Sequence, residues 1–250
     1  MLLSTLTDPE RNKMTRGYPV IIASMPGAGK TSAVEMLPDE EKQRTLFFDL
    51  ENKGFPSDVE EDYYKVVKLK PIDSKGTTFK DHSNVIYKDI NELLPYLKKA
   101  IAADKIDRVV IDSFTAYVSE LERYFVTTSN GFTVWNSYNQ ALHDFFRSVK
   151  EETYIHKKLV YIVAHYRPSK DKKDPDAEKF VVVKGTAHYR LIESNVNTVI
   201  SIEDFKLIAD NSDDCSSTRI RRDMSPYESS TNSLAVFEDD LLKAIQPKSE

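Results

Sequence analysis

The sequence lacks the features of secreted and membrane-spanning proteins. Its only cysteine is Cys215, so no disulfide can form within the chain, which is typical of a reducing cytoplasm. No apolar run approaches the ~20 residues of a membrane-spanning helix, and residues 1–14 contain too small an apolar group for a signal peptide. We therefore expect a cytoplasmic protein with no membrane contact.

The sequence also lacks an excess of positive charge. Its formal net charge is −5, so any contact with DNA has to come from a local basic patch rather than from the charge of the whole molecule. The 250 residues are 40% hydrophobic, which is enough for one sizeable core, and they contain no internal repeat or low-complexity segment.

Short apolar runs alternate with helical patterns along the chain, which favours an α/β fold with a mostly parallel central sheet flanked by helices. We interpret the run at 64–69 as a short or edge strand. Aromatic residues from Trp135 to Val149 recur at helical spacing and are expected to face the sheet. The predicted strands are 18–23, 45–50, 64–69, 108–111, 159–164, 181–184, 198–202 and 219–222, and the predicted helices are about 29–37, 89–102, 114–125, 135–149 and 238–245.

The segment from Ser24 to Thr31, SMPGAGKT, follows an apolar strand and opens a predicted helix, which is the context of a phosphate-binding loop. Backbone N–H groups at a helix N-terminus bind phosphate oxygens, and Gly27 and Gly29 let the backbone wrap around the anion. Lys30 would bring its charge to the β- and γ-phosphates, and Thr31 its hydroxyl to Mg²⁺. The predicted nucleotide-binding residues are Ser24, Met25, Pro26, Gly27, Ala28, Gly29, Lys30, Thr31 and Ser32.

One position departs from the phosphate-loop motif, because Ser24 stands where the first glycine is usual. That glycine ends the strand with a tight turn and does not itself hold phosphate, so a small serine is compatible with the motif. The alternative is an ordinary strand–turn–helix that contains Gly-Lys-Thr by chance.

Three further predicted strands end in polar side chains. Asp112 ends an apolar strand in the manner of a Walker B acid, which holds Mg²⁺ directly or through its water. Glu51 could deprotonate the attacking water, although Asp49 or Glu51 could equally cap a loop. His165 could sense the γ-phosphate, since ligands bind at the carboxyl ends of such strands; a structural role is the alternative. We predict ATP and Mg²⁺ as cofactors, Lys30, Glu51, Asp112 and His165 as catalytic residues, and Thr31 and Asp112 as metal ligands.

The order of these motifs resembles the RecA-like P-loop NTPase core over about 18–203. The segments FFDLEN, VVIDSFTAY, WNSYNQALHDFF and YIVAHYRPSKD resemble more closely the small phage and prophage nucleotide-binding proteins, some of which are single-strand annealing or recombinase proteins. The resemblance implies an ATPase in which His165 replaces a glutamine sensor, on a strand between the phosphate-loop strand and the Asp112 strand. It implies an extension at 1–17 and one domain at 18–250, with its core at about 18–203 and C-terminal strands and a helix at 204–250.

In similar recombinases two loops enter the DNA groove, and residues 126–133 and 166–183 match them. Residues 166–190 carry seven Lys or Arg against four Asp or Glu, a local charge of +3, and contacts to DNA phosphates need such cations. A solvated surface loop is the alternative. The DNA-binding candidates are Arg167, Lys170, Lys172, Lys173, Lys179 and Arg190, with Phe132, Tyr166 or Phe180 as stacking partners for bases.

Three functions compete. The first is a DNA-stimulated ATPase of phage recombination or annealing, which binds single-stranded DNA as a ring or filament in the bacterial host cytoplasm and has a single-strand-binding protein as a further partner. The second is a nucleotide-switched interaction protein, such as a helicase loader or regulatory ATPase without DNA contact. The third is a small-molecule kinase, which Glu51 and His165 disfavour because they suit water activation. A neighbouring subunit could supply a cation from Lys184, Arg190, Arg219, Arg221 or Arg222.

Overall fold

A computed structural model describes residues 6–7, 15, 17–55, 60–70, 79–81, 83–129, 131, 133–167, 180–181, 195–209, 220 and 224–245. Its strands are β1 (Val20–Ser24), β2 (Thr45–Asp49), β3 (Lys65–Leu69), β4 (Val85–Lys88), β5 (Arg108–Asp112), β6 (Leu159–Arg167), β7 (Phe180–Val181), β8 (Thr198–Glu203), β9 (Lys206–Ala209) and β10 (Tyr227–Glu228). Its helices are α1 (Lys30–Glu35), α2 (Asp39–Lys42), α3 (Ile90–Ile101), α4 (Phe114–Thr128), α5 (Thr133–His156) and α6 (Leu234–Ile245), and a 3₁₀ turn covers Glu60–Asp62.

Nine strands form one sheet in the order β10-β9-β8-β1-β6-β5-β2-β3-β4. Every pair from β8 to β4 is parallel, whereas β9 and β10 pair antiparallel at one edge and β7 pairs with the last residues of β6. This mostly parallel sheet confirms the predicted α/β class. The strand that carries His165 lies between β1 and β5, as the resemblance implies.

The sheet has a hydrophobic core on each face, because successive residues of a strand point to opposite sides. Ile21 packs in the core beneath α3, α4 and α5, and Ile22 packs in the core that α1 and α6 cover. Leu6 joins this second core. Within the described ranges, no helix has the length and apolarity that crossing a membrane requires.

The strand expected at 64–69 as short or at the edge of the sheet is short but does not lie at the edge. The strand β3 has five residues, and β4 pairs with it in parallel on the side away from β2. The sequence did not reveal β4 because Val85–Lys88 contains only four residues, too few for a periodic pattern to stand out.

Two helices also differ from expectation. Tyr138, Leu142 and Phe145 of α5 are buried as predicted, but Trp135 is 42% exposed. A helix of 24 residues is about 36 Å long and extends past the short strands, so its first turn is only partly covered. The C-terminal helix begins at Leu234 rather than at Glu238.

Four of the eight residues of the expected loop at 126–133 are helical. The helix α4 continues to Thr128 and α5 begins at Thr133, so only residues 129–132 connect them, and Gly131 adopts a φ of 68°. Asn130 and Phe132 lie outside the described residues, as do most of the predicted strands at 181–184 and 219–222.

Candidate functional site

The carboxyl ends of β1, β6, β5 and β2 lie side by side at one edge of the sheet. The parallel register places Ser24 opposite His165, Val163 opposite Asp112, and Asp112 opposite Asp49. His165 therefore extends two residues beyond the level of Asp112. The predicted residues of four strands meet at this edge.

The segment between β1 and α1 has the backbone of an anion-binding loop. Gly27 and Gly29 have φ values of 81° and 86°, in the left-handed region where a side chain would be strained. The first turn of α1 contains no acidic residue, so no carboxylate there opposes an anion at the helix N-terminus. Met25, Pro26 and Gly27 are exposed at the rim of the loop.

The buried side chain of Lys30 folds back onto the beginning of this loop. Its Nζ donates to the carbonyl oxygen of Met25 at 2.8 Å and to the carbonyl oxygen and Oγ of Ser24 at 3.3 and 3.2 Å. Burial lowers the pKa of Lys30, and the charges of Asp112 and Glu51 oppose that shift. The serine at the unusual position thus supplies an acceptor that glycine lacks.

Thr31 and Asp112 form a pair of oxygen donors beside Lys30. Thr31 Oγ1 donates to Asp112 Oδ2 at 2.7 Å. Asp112 is 9% exposed, and its burial raises its pKa to about 6. Within the described part of the chain, no three His, Cys, Asp or Glu side chains form a metal-binding group. Two oxygens with phosphate and water as further ligands suit Mg²⁺, which rarely occupies an all-protein cage.

Glu51 is held by three side chains. Ser113 Oγ donates to Glu51 Oε1 at 2.7 Å, His165 Nε2 lies 3.2 Å from the same oxygen, and Lys53 forms an ion pair with Oε2. Burial disfavours the charged form, but the bonds from Lys53 and Ser113 outweigh it and lower the pKa of Glu51. An ionised carboxylate only accepts hydrogen bonds, so His165 Nε2 carries the proton in this contact.

The geometry distinguishes the two acids at the end of β2. Asp49 accepts backbone N–H groups of Lys53 at 3.3 Å and Gly54 at 2.9 Å, so it is the acid that caps the loop. Glu51 instead faces Ser113 and His165. The catalytic assignment of Glu51 remains a prediction, with a geometry that suits it.

His165 is fixed at both its ring and its backbone. Its backbone N–H donates to Thr115 Oγ1 at 3.0 Å, at the start of α4. Burial and the charge of Lys30 lower the pKa of His165, against the opposing effect of Glu51. The ring is therefore neutral at pH 7.

A surface cleft of about 440 Å³ adjoins Glu51 and His165. It lies between the loop after β2, the end of β3 and the first turns of α4. Lys53 and Lys70 supply positive charge to its lining, and Glu120 supplies negative charge. The site is therefore accessible from the side of these strands.

The sequence did not identify four residues that support the site. Ser113 and Thr115 follow β5, where the only local signal is the helix N-cap that Ser113 provides by accepting from the Ala116 N–H. Lys53 follows Glu51 by two residues. Asn232 Nδ2 donates to the Gly29 carbonyl at 3.0 Å across 203 residues of sequence, and no local pattern indicates such a contact.

The side chains of the predicted DNA-binding lysines and arginines and of the candidate cations from a neighbour lie outside the described residues. Tyr166, one of the expected stacking partners for bases, is a correction: its ring is buried in the core beneath the helices and is only 4% exposed, so it does not offer a face to DNA. The backbone of Arg167 ends β6 and pairs with Phe180 of β7, so both ends of the segment 168–179 meet at the edge of the site. These assignments remain predictions.

The AAA domain family AAA_24 matches residues 16–218, which is well over half of the 250 residues. The matched region includes the phosphate loop and the strands that carry Glu51, Asp112 and His165. No curated protein matches the chain.

Replacing Lys30 with alanine should abolish measurable ATP affinity, because it removes the charge that is predicted to contact the β- and γ-phosphates. Isothermal titration calorimetry with ATP measures this loss, and circular dichroism checks the fold. Lys99→Ala, which removes an exposed lysine of α3, should bind ATP as the wild type does. An unchanged dissociation constant in Lys30→Ala would contradict the phosphate-loop assignment.

The Mg²⁺ requirement for ATP turnover should depend on pH around the Asp112 pKa of about 6. Below that pH the proton occupies the carboxylate and competes with the cation, so half-maximal turnover should require more Mg²⁺; above it, the requirement should level off. Metal titrations of the rate at several pH values test this. Asp112→Asn should weaken Mg²⁺ binding and abolish this pH dependence, whereas Asp104→Asn, in an exposed turn, should retain it. An identical dependence in Asp112→Asn would refute the assignment.

Proposed function

The chain belongs to the AAA domain family and has the P-loop ATPase core of that family, and we propose that it hydrolyses ATP with Mg²⁺ and couples hydrolysis to the binding of single-stranded DNA in phage-type recombination or annealing. Several contacts at the sheet edge support the hydrolytic part. The proposed coupling to DNA rests on one observation: the chain continues from His165 through the end of β6 into a segment rich in lysine.

The phosphate loop after β1 and the strand ends beside it have separate roles in hydrolysis. Lys30 and the loop N–H groups bind the phosphates, and Thr31 and Asp112 hold the cation. When bound, Mg²⁺ neutralises charge on the phosphate oxygens. Glu51 accepts a proton from the water that attacks the γ-phosphate. Its lowered pKa keeps it ionised at pH 7, which is the form that can accept a proton.

His165 connects this chemistry to the candidate DNA-binding segment. Its ring contacts Glu51, and two residues later β6 ends at Arg167. The chain then passes through residues 168–179, which contain Lys170, Lys172, Lys173 and Lys179, and returns to pair with Arg167 through Phe180. A shift of His165 on loss of the γ-phosphate would move the strand end from which the basic segment begins.

Self-association into a ring or filament is the second part of the proposal. It is supported by the resemblance to recombinases, in which a neighbouring subunit completes the site with a cation. The candidates are Lys184, Arg190, Arg219, Arg221 and Arg222.

A nucleotide-switched interaction protein is the alternative function, and the cleft beside Glu51 favours it. Its lining mixes Lys53 and Lys70 with Glu120 and the apolar Leu50 and Leu69, a composition that suits a peptide side chain better than a nucleic-acid backbone. A partner protein that entered this cleft would contact Glu51 and His165 directly.

Glu51→Gln should retain ATP binding but slow hydrolysis by about 100-fold or more, the usual cost of losing a general base. Single-turnover hydrolysis gives the rate, and a binding titration with ATP shows that the site is intact. Glu61→Gln, at an exposed position of the 3₁₀ turn, is the matched control and should be unchanged. Turnover of Glu51→Gln within a few-fold of wild type would mean that Glu51 is structural.

Single-stranded DNA should bind more tightly in one nucleotide state than in the other, and its affinity should decrease steeply with salt because phosphate contacts release counterions. Replacing Lys170, Lys172 and Lys173 together with alanine should reduce the salt slope by about one unit per lost contact, two to three in all. Fluorescence anisotropy of a labelled oligonucleotide at several salt concentrations, with an ATP analogue or ADP, measures both effects. ATP binding should survive, because these residues lie outside the phosphate loop.

The matched control removes the same charge from exposed lysines elsewhere, at Lys99, Lys105 and Lys243, and should retain the wild-type slope. Absence of binding by the wild type at low salt would reject direct DNA contact and favour the interaction protein. Binding with the same slope in the triple variant would place the DNA site elsewhere.

A further inference from the structure

The position of the nucleoside follows from the positions of the reacting groups, provided that the proposed nucleotide binding holds. Asp112 and His165 lie on β5 and β6, and Glu51 follows the end of β2 by two residues, so all three lie on one side of β1. A bound γ-phosphate would therefore lie on that side. The rest of the nucleotide would extend along the loop in the other direction, toward β8, which pairs with the opposite side of β1.

An exposed aromatic ring stands on that opposite side. Phe205 occupies the tight turn between β8 and β9, where Glu203 pairs with Lys206, and its side chain is 69% exposed. Asp204 and Phe205 have φ values of 46° and 58°. This left-handed conformation is unfavourable for a bulky residue such as phenylalanine. The turn thus holds a large apolar ring in solvent at a cost in backbone energy.

The ring lies directly beside the phosphate loop. A Cβ placed on Gly29 would be 3.6 and 3.7 Å from two ring carbons of Phe205 and 2.9 Å from Nδ2 of Asn232. Asn232 is buried and donates to the Gly29 carbonyl oxygen, so it fixes the loop while Phe205 remains exposed next to it. The ring is therefore adjacent to the residue that opens α1, on the side of the loop away from Glu51.

We propose that Phe205 is the base-stacking residue of the site and that its ring packs against the nucleobase of the bound nucleoside triphosphate. A base is a flat apolar surface, and stacking on an aromatic side chain removes both surfaces from water. Because every base has such a surface, Phe205 adds affinity and favours the larger purines without reading the edge of the base.

The test compares ATP with inorganic tripolyphosphate, which has the phosphates but no base. Phe205→Ala should weaken ATP binding by about 10-fold, within the range that base–aromatic stacking provides, and should leave tripolyphosphate affinity within about 2-fold of wild type, because the loop contacts are unchanged. Phe205→Tyr should restore ATP affinity. Ile155→Ala, which truncates another exposed apolar side chain, should bind both ligands normally.

An unchanged ATP affinity in Phe205→Ala would overturn this inference while leaving the proposed nucleotide binding intact. Equal weakening of ATP and tripolyphosphate would also overturn it, because Phe205 would then act only by supporting the loop at Gly29. If the wild type bound neither ligand, the proposed function would fail, and this inference would fail with it.

Discussion

Parallel hydrogen bonding among β1, β6, β5 and β2 positions the candidate catalytic side chains, because parallel strands place all their carboxyl ends at one edge. These strands are buried over the stretches in which they pair, so a shift of one residue would exchange the side chains of the two cores. The register that packs the cores is thus the same register that places Asp112 two residues below His165.

At the amino ends of the strands, a buried arginine connects β5 to the helices. Arg108, at the first position of β5, is fully buried and donates to both carboxylate oxygens of Glu238 in α6, to Glu41 and to Thr45. Such pairs add little net stability, but removing one partner costs about 3–5 kcal/mol. Since Asn232 also bonds to Gly29, the C-terminal helix contacts the amino end of β5 and the segment before it contacts the phosphate loop.

Burial and nearby charges shift the pKa values of the ionisable groups of the site. Burial raises the pKa of Asp112 and lowers that of Lys30, and both shifts reflect the cost of desolvating an ion. Glu51 is exposed enough, and has enough donors, for its pKa to move down instead. The pKa of Asp112 is therefore raised and the pKa of Glu51 is lowered, although the two carboxylates lie at the ends of neighbouring strands. The more buried carboxylate pairs with Thr31, and the other stays ionised beside His165.

The sequence by itself was enough to predict the features that depend on residues close together in the chain. The phosphate loop was readable because its groups lie within nine consecutive residues and its two glycines adopt their conformations locally. Asp112, Glu51 and His165 were readable because each comes at the end of an apolar strand pattern, and in a parallel sheet such positions share one edge. By contrast, β4 and β10 contain four and two residues, too few for a pattern. The choice between Asp49 and Glu51, the contacts of Ser113 and Lys53, and the approach of Phe205 and Asn232 to Gly29 were decided only by the tertiary structure. The groups that make these contacts either lie far apart in the chain or depend on how a loop turns, and neither property leaves a periodic signal in the sequence.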